Sequence, residues 1–212
     1  MKTKTTNTGG WRGSPEVWYT AAIEILLESG IEAVKISALA KKLKLSRTSF
    51  YWFFSDREQL LSALVASWKE KNTGSIIKQA EAYADSLAEA TLNVFDCWID
   101  EALFDAKFEF AIRSWALQSP VILEEVQKAD QSRLNALSNM FKRYGFNDVE
   151  ADVRSRTIYL VQIGYITMQT QEPLKERMVR IPEYIKTFTG ELPKRHELER
   201  FFYRHKYEEN EL

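Results

Sequence analysis

Residues 39–60, LAKKLKLSRTSFYWFFSDREQL, constrain the fold of this chain more than any other stretch. A short helical pattern ends at Lys44, Ser46 is a natural N-cap for a second short helix, and Ser55 begins a capping box before a third. Apolar residues recur at spacings of three and four, so each helix has one face suited to burial. Two short helices joined by a tight turn predict a helix-turn-helix unit.

Basic charge is concentrated in the same stretch. The whole chain has 212 residues and a formal net charge of −1, so it lacks an overall basic signal for nucleic acid. Residues 35–57 contain one acidic residue, Asp56, against six basic ones, for a local net charge of +5. The six are Lys35, Lys41, Lys42, Lys44, Arg47 and Arg57. A local basic surface on a nearly neutral protein suits contact with DNA phosphates.

The remaining sequence predicts an all-α protein, because it has few glycines and prolines and no alternating strand pattern. Ser14-Pro15 begins a first helix that Gly30 ends, and later helices follow Ser86, Ser119-Pro120 and Asn147. We expect a break at Pro182 and a last helix after Pro193. The predicted architecture is an N-terminal three-helix helix-turn-helix domain at 1–58, with 1–13 as a loose arm. A larger helical bundle at 59–212 follows, for about nine or ten helices in total.

Several classes of function find little support. No apolar run approaches the ~20 residues of a membrane span, and the polar N-terminus is unlike a signal peptide, so we expect a cytoplasmic protein without membrane contact. The single cysteine, Cys97, is expected to be buried and cannot form an internal disulfide. His196 and His205 lack an acidic partner at ligand spacing and are expected to be solvated. The acidic residues at 96, 100, 101 and 105 read as a solvent-facing stripe. We therefore predict no catalytic residues, no metal and no cofactor.

Residues at matching spacings connect the N-terminal stretch to a known family: Leu39-Ala40, Leu45-Ser46, Phe50-Tyr51, Phe54, Arg57 and Leu60. Residues 1–70 thereby resemble the DNA-binding domain of the TetR family of bacterial transcriptional regulators, and RSWALQSP at 113–120 is similar to a stretch of its second domains. Two positions depart from the family pattern. Lys44 replaces a glycine, which costs on the order of 1–2 kcal/mol if φ is positive there. Phe53 replaces a histidine and cannot donate to a phosphate.

The spacing also predicts roles within the helix-turn-helix. Phe50 and Phe54 lie four apart and should face the core. Arg47 and Thr48 lie at the start of the recognition helix, where Arg47 could bond a guanine and Thr48 could meet a base edge. Tyr51 resembles the family tyrosine that touches the DNA backbone, and Arg57 with nearby amides suits a phosphate. The predicted DNA contacts are Lys44, Ser46, Arg47, Thr48, Tyr51, Trp52 and Arg57.

For the second domain, two functions are expected. Helix-turn-helix proteins usually bind DNA as dimers, and the late helices at 148–170 and 174–190 are the candidate dimer surface, although burial within one subunit would give the same pattern. The family resemblance further implies a small-molecule pocket, and an anionic ligand if Arg113 faces it. Its candidate lining is Trp98, Phe108, Arg113, Trp115, Tyr159, Gln162 and Tyr165, each of which could instead be plain core.

Together these features predict a ligand-responsive transcriptional regulator, most simply a repressor. Its partners would be a double-stranded palindromic DNA operator, a second copy of the chain and an unknown small-molecule effector. The alternative is an all-helical interaction module or an enzyme in which the basic helix-turn-helix is incidental. The salt dependence of DNA binding separates the two.

Overall fold

The computed structural model describes residues 13–208, and every regular element in that range is helical. The α-helices are α1 (Pro15–Ser29), α2 (Ile36–Leu43), α3 (Arg47–Phe50), α4 (Arg57–Trp68), α5 (Gly74–Glu81), α6 (Leu87–Ile99), α7 (Ala106–Ala116), α8 (Pro120–Arg143), α9 (Asp148–Thr167), α10 (Leu174–Thr189) and α11 (Arg195–Arg204). A 3₁₀ turn, Ile31–Ala33, precedes α2, and a π-helical segment, Lys69–Thr73, joins α4 to α5. The predicted all-α class is confirmed. The predicted N-terminal arm lies outside the described residues except for Gly13.

Contacts between Cα atoms divide the chain into two compact units, with the boundary between Ser67 and Trp68. The boundary therefore falls at the end of α4, later than the one drawn from sequence after residue 58. The apolar stripe of α4 is buried up to this boundary, and Trp68, whose indole donates to Glu109, falls in the second unit. Leu60, Leu61, Leu64 and Val65 are all buried.

The core of the first unit is built around aromatic side chains. Trp18 and Phe50 are fully buried and meet edge to face, with ring centroids 5.4 Å apart. Phe54 is also buried and stacks on Phe50 at 5.3 Å. The predicted inward orientation of Phe50 and Phe54 is confirmed, and these contacts hold the short helix α3 in place.

The cap of α4 differs from the predicted capping box. Asp56, rather than Ser55, is the capping side chain, because its Oδ1 accepts from the backbone N–H of Gln59 at 2.8 Å. Gln59 completes the pair by accepting from the backbone N–H of Ser55 at 2.6 Å. The sequence offers two overlapping pairs at this spacing, Ser55 with Glu58 and Asp56 with Gln59, and the observed hydrogen bonds use Asp56 and Gln59, with Gln59 bound to the residue before the cap.

The second unit is a helical bundle in which α8 packs against α5, α7 and α9, while α6 packs against α5, α10 and α11. The predicted N-caps Ser86, Ser119 and Asn147 each accept a backbone N–H in the first turn. Cys97 is buried as expected, and burial raises the pKa of its thiol to about 12. Among residues 13–208, no helix is long and apolar enough to cross a membrane.

Helix α10 corrects the predicted break at Pro182, because the helix runs unbroken through that residue. A proline inside a helix removes one hydrogen bond and costs ~3 kcal/mol. Met178, Ile181 and Ile185 are buried on the same face of α10, on both sides of the proline. Tertiary packing therefore holds this helix together against a local preference to break.

Asp96 and His205 correct a second prediction. His205 is not solvated: its Nε2 lies 2.7 Å from Asp96 Oδ1, and Asp96 is itself buried. Arg204 also contacts the Asp96 carboxylate, at 3.0 Å. Sequence spacing misses this cluster because α6 and the end of α11 are brought together only in the fold. His196 is exposed, as predicted.

Candidate functional site

The turn before α3 is formed by Lys44 in a left-handed conformation, with φ 55° and ψ 36°. The N–H of Leu45 donates to the carbonyl of Ala40 at 2.9 Å, which ends α2 and redirects the chain. Ser46 then caps α3 by accepting from the N–H of Ser49 at 3.2 Å. Lysine at a positive φ is strained relative to glycine, so the expected cost at this position is present in the structure.

Helix α3 exposes the outer face that the spacing predicts. Arg47 and Thr48 are exposed at its N-terminal end. Tyr51 and Trp52 follow it, with 57% and 63% of their surfaces accessible. Both rings are therefore accessible on the side of α3 that carries Arg47 and Thr48. Their contact with DNA stays a prediction.

The six basic residues of the stretch fall into two groups. Lys42 pairs with Glu24 at 3.1 Å and Glu28 at 3.4 Å on α1. Arg57 is also committed, to groups within the first unit. The remaining four have no acidic partner within residues 13–208: Lys35, Lys41, Lys44 and Arg47. The unpaired basic charge thus lies around the turn and the start of α3.

Arg57 is the second cation committed to the fold. Its Nε donates to the carbonyl of Val34 at 2.6 Å, its Nη2 to that of Ile31 at 2.9 Å, and its Nη1 to Glu58 at 3.0 Å. Three of its five N–H groups are therefore used inside the unit. The predicted phosphate contact would have to use the remaining two.

In the second unit, Arg113 and Tyr159, which were predicted to line a pocket, lie instead in what we call the buried ion network: Glu109, Arg113, Asp130, Arg133 and Tyr159. Glu109 and Arg133 are completely buried and are joined by two bonds, of 2.8 and 3.0 Å. Arg113 Nε donates to Glu109 at 2.9 Å, and its Nη2 donates to Asp130 at 2.5 Å. The Tyr159 hydroxyl accepts from both guanidiniums at 2.9 Å and donates to Asp130 at 2.5 Å.

The charges of this network cancel, with two guanidiniums against two carboxylates. Burial by itself raises the pKa of Glu109, but Arg133 and Arg113 outweigh burial and lower that pKa to about 2. Arg113 consequently has no free charge for an anionic ligand. The expectation of an anion at Arg113 is not supported by this geometry.

The π-helical segment supplies further partners to the network. Trp68 Nε1 donates to Glu109 Oε2 at 2.6 Å, Asn72 Nδ2 donates to the same oxygen at 3.0 Å, and Thr73 Oγ1 accepts from Arg133 Nε at 2.9 Å. In a regular α-helix, residues five apart point in different directions. The wider π turn brings residue i+5 toward the face of residue i. This local change lets Trp68 and Thr73 both reach the network.

The other predicted pocket residues lie in different places. Phe108 is buried and Trp115 is half-buried. Trp98, Gln162 and Tyr165 line a cavity of about 40 Å³ between α6, α9 and α10. The lining residues that sequence reasoning missed are Phe95, Ile158, Val161, Glu172, Arg177, Arg180, Ile181, Tyr184 and Phe188. Spacings of three and four residues along α10 could have predicted one mixed basic and aromatic face from Arg177, Ile181, Tyr184 and Phe188.

Comparison with known proteins identifies the first unit. The family model described as "Bacterial regulatory proteins, tetR family" matches residues 19–64, which span most of α1 through most of α4. The N-terminal domain belongs to the TetR family. The match contains the strained turn, α3 and the exposed aromatic pair described above, and it confirms the predicted family.

One curated relative is the tetracycline repressor protein class G of Vibrio anguillarum, which is 32% identical over 74 residues. Those residues make up 34% of this chain and 35% of the relative. The chain therefore matches only about a third of the length of that TetR-family protein.

Solved structures extend the similarity of fold over most of the chain. A transcriptional regulator from Aquifex aeolicus aligns with a TM-score of 0.63 at 16% identity, covering 82% of this chain and 99% of that one. GusR of Salmonella enterica aligns with a TM-score of 0.62 at 16% identity, covering 90% and 99%. At such identities the likeness concerns the fold alone, a TetR-like N-terminal unit followed by a helical bundle.

Proposed function

We propose that this TetR-family chain is a DNA-binding transcriptional regulator, cytoplasmic and dimeric, that represses transcription until a small effector binds. The observation that carries the proposal is the outer face of α3 inside a matched TetR domain. There Arg47, Thr48, Tyr51 and Trp52 are exposed beside unpaired lysines.

In this arrangement the side chains divide into base readers and backbone anchors. Arg47 at the N-terminal end of α3 can donate two hydrogen bonds to guanine in the major groove, and Thr48 can meet a base edge. Tyr51, Trp52 and Lys44 are placed to contact the sugar-phosphate backbone. The Ser46 hydroxyl is occupied by the cap of α3, so its contribution to DNA binding would come through that cap.

Selection of bound duplexes from a random library tests this function. We expect a palindrome whose two half-sites are read by two copies of α3. Arg47→Ala should weaken the free energy of operator binding by roughly 1–3 kcal/mol and relax specificity at one base pair, as expected for a base contact. Lys42→Ala is the matched control, because its ammonium already pairs on α1. Equal weakening on every sequence by Arg47→Ala would contradict base reading.

The alternative functions are distinguished by salt dependence. A dimer that neutralises on the order of 6–10 phosphates should show a log–log slope of roughly −5 to −9. A flat response would favour an interaction module or an enzyme. Within residues 13–208, no cluster of three or more His, Cys, Asp or Glu side chains could hold a metal ion.

The dimer is proposed to form through α9. Large apolar side chains are exposed along one face of this helix and define the α9 stripe: Val149, Val153, Leu160, Val161 and Met168. Beside the stripe, a groove of about 360 Å³ between α9 and α10 is lined in part by Val149 and Val153. A self-complementary ridge and groove suit a two-fold interface.

Gly164 supports the same interface. It lies within α9, where glycine costs up to ~1 kcal/mol relative to alanine, yet a Cβ added there would meet no atom within 4 Å. Nothing in the described part of the chain requires a glycine at this position. A second α9 packed closely against this position would leave no room for a Cβ and would explain the glycine.

Sedimentation velocity of Gly164→Ala tests the dimer. We expect the monomer to gain up to ~1 kcal/mol of stability and the dimer to weaken. Gly74→Ala is the matched control, because a Cβ at this other helical glycine would only touch the carbonyl of Lys69 at 4.0 Å. Unchanged dimerisation in Gly164→Ala would place the interface elsewhere.

Regulation by an effector requires differential affinity. The effector must bind the arrangement that does not bind DNA more tightly than the one that does, or the operator affinity does not change. This requirement applies whichever cavity the effector occupies.

A further inference from the structure

The cavity between α6, α9 and α10 is walled by aromatic rings. Tyr184 and Phe188 stack with their planes 10° apart, and Phe95 meets Trp98 edge to face at 5.0 Å. The hydroxyls of Tyr165 and Tyr184 lie 2.6 Å apart at the same site. Such walls favour a flat or apolar body, with the two hydroxyls as polar contacts.

Three charged side chains, Glu172, Arg177 and Arg180, line this cavity, and Arg177 differs from the other two. Its Nη2 donates to the carbonyl of Trp98 at 2.7 Å, and within residues 13–208 no carboxylate lies within ion-pair distance of its guanidinium. Its neighbour Arg180 is different, because it pairs with Glu172 and Glu176. Arg177 is thus half-buried and has no direct ion pair among the described residues, although the carboxylate of Glu172, which is bound to Arg180, acts on it at longer range.

A half-buried guanidinium without a carboxylate is costly. Burial lowers the pKa of Arg177 by more than the nearby Glu172 raises it, which is the sign of a charge removed from water without full compensation. Among the residues that the structure describes, one acceptor, the carbonyl of Trp98, bonds its five N–H donors. A bound anion would supply both the missing charge and further acceptors, and a carboxylate fits the planar fork of the guanidinium best.

We propose that this cavity binds a small carboxylate, with the carboxylate on Arg177 and an apolar body against the aromatic walls. The free volume of about 40 Å³ restricts the ligand to a few heavy atoms or requires the side chains to move apart. This site is distinct from the buried ion network, where both guanidiniums already have carboxylate partners. Binding itself does not depend on the proposed function, but the role of the ligand as effector does.

Val161 links the cavity to the dimer. Its side chain lines the cavity and also belongs to the exposed α9 stripe. A ligand that changes the position of α9 would therefore act on the proposed interface. This contact offers a direct path from occupancy to the association of the two copies.

Calorimetric titration of the full chain with acetate, butyrate and benzoate, each beside its neutral amide, tests the site. We expect at least one carboxylate to bind and its amide to bind at least about tenfold more weakly. Arg177→Met should weaken the carboxylate roughly 10- to 100-fold, as for the loss of charge-assisted hydrogen bonds. Arg156→Met, at an exposed arginine on α9 paired with Asp152, is the matched control and should leave affinity unchanged.

Three results would overturn the proposal: no carboxylate binding at millimolar concentration, equal binding of amide and carboxylate, or full affinity in Arg177→Met. If Arg177→Met does not fold, Arg177→Lys replaces it, with a smaller loss expected because one charge is retained. The indole resonance of Trp98 should move on binding while that of Trp18 stays, which locates the ligand. DNA affinity measured without ligand is a separate readout, so failure of this site is distinguishable from failure of the proposed function.

Discussion

Positive charge is used in opposite ways in the two units. Around α3, the side chains of Lys44 and Arg47 are exposed and have no acidic partner among the described residues. In the second unit, Arg113 and Arg133 each contact carboxylates, and the Arg133 side chain is completely buried. An exposed cation keeps its hydration at little cost, whereas a buried one must be paired and fully hydrogen-bonded. The first arrangement leaves charge available to a polyanion, and the second uses the charge to organise the interior.

This difference shows that residue type alone does not identify a binding site. Arg47 and Arg113 are both arginines on short amphipathic helices, and both were predicted to meet a ligand. Only for Arg47 does the fold leave the guanidinium without a partner in the described part of the chain. Arg177, which was not singled out from sequence, has no ion pair in the described part of the chain, whereas Arg113 has two.

The largest effect should come from removing a charge from the buried ion network. Glu109→Gln leaves Arg133 without its principal counter-charge in a fully buried site, so we expect a loss of about 3–5 kcal/mol in the free energy of unfolding. Urea denaturation measures it. Glu124→Gln, at an exposed carboxylate paired with Lys128, should change stability by less than about 1 kcal/mol. Similar small losses in both variants would mean that the network is not stabilised by pairing.

The contribution of the Glu109 carboxylate to stability should depend on pH. The pKa of Glu109 is lowered from 4.5 to about 2 in the folded state, so its contribution is complete above about pH 4.5 and is lost as the pH falls toward 2. The difference in unfolding free energy between the wild type and Glu109→Gln should therefore shrink by a few kcal/mol over that range. Denaturation curves at several pH values measure this difference. A difference that is constant with pH would exclude a depressed pKa for Glu109.

Within the first unit, alanine substitutions at Arg57 and Arg47 should have different effects on stability. Arg57→Ala removes the donors to the carbonyls of Val34 and Ile31, so we expect a loss of roughly 1–3 kcal/mol in stability. Arg47→Ala should leave stability within about 0.5 kcal/mol, because its side chain is exposed and has no ion pair in the described residues. Thermal unfolding compares the two. A larger loss of stability for Arg47→Ala than for Arg57→Ala would mean that Arg47, rather than Arg57, stabilises the first unit.

The smallest effect is expected at the turn. Lys44→Gly relieves the strain of a left-handed lysine, which should raise stability by about 1 kcal/mol, while the loss of a cation should weaken DNA binding. Melting temperature and operator affinity measured on the same sample test both parts. Tighter DNA binding by Lys44→Gly would contradict the proposed backbone contact.

Much of the fold was predictable because its signals are local. The caps Ser46, Ser86, Ser119 and Asn147 act on amides three residues away, so spacing alone reveals them. Phe50 and Phe54 were assigned to the core from their four-residue spacing. The course of α10 through Pro182 was not predictable in this way, because packing against the rest of the bundle overrides the local preference.

The candidate sites also differ in how far they could be predicted from local sequence. The exposed face of α3 follows from helical geometry and needs no knowledge of the second unit. The interior of the second unit joins residues more than twenty positions apart, such as Glu109 with Arg133 and Asp96 with His205. No periodicity within one helix shows which side chain on another helix it will meet.

By itself, the sequence determined the helical class, the TetR-like first domain and the outward face of its recognition helix, because caps, turns and helical periodicity act over a few residues. Only the tertiary structure decided which cations are free. It closed Arg113 and Arg133 into the buried ion network, tied Arg57 to backbone carbonyls, and left Arg177 beside an aromatic cavity. The physical reason is that the cost of burying a charge depends on partners that chain folding brings from distant positions.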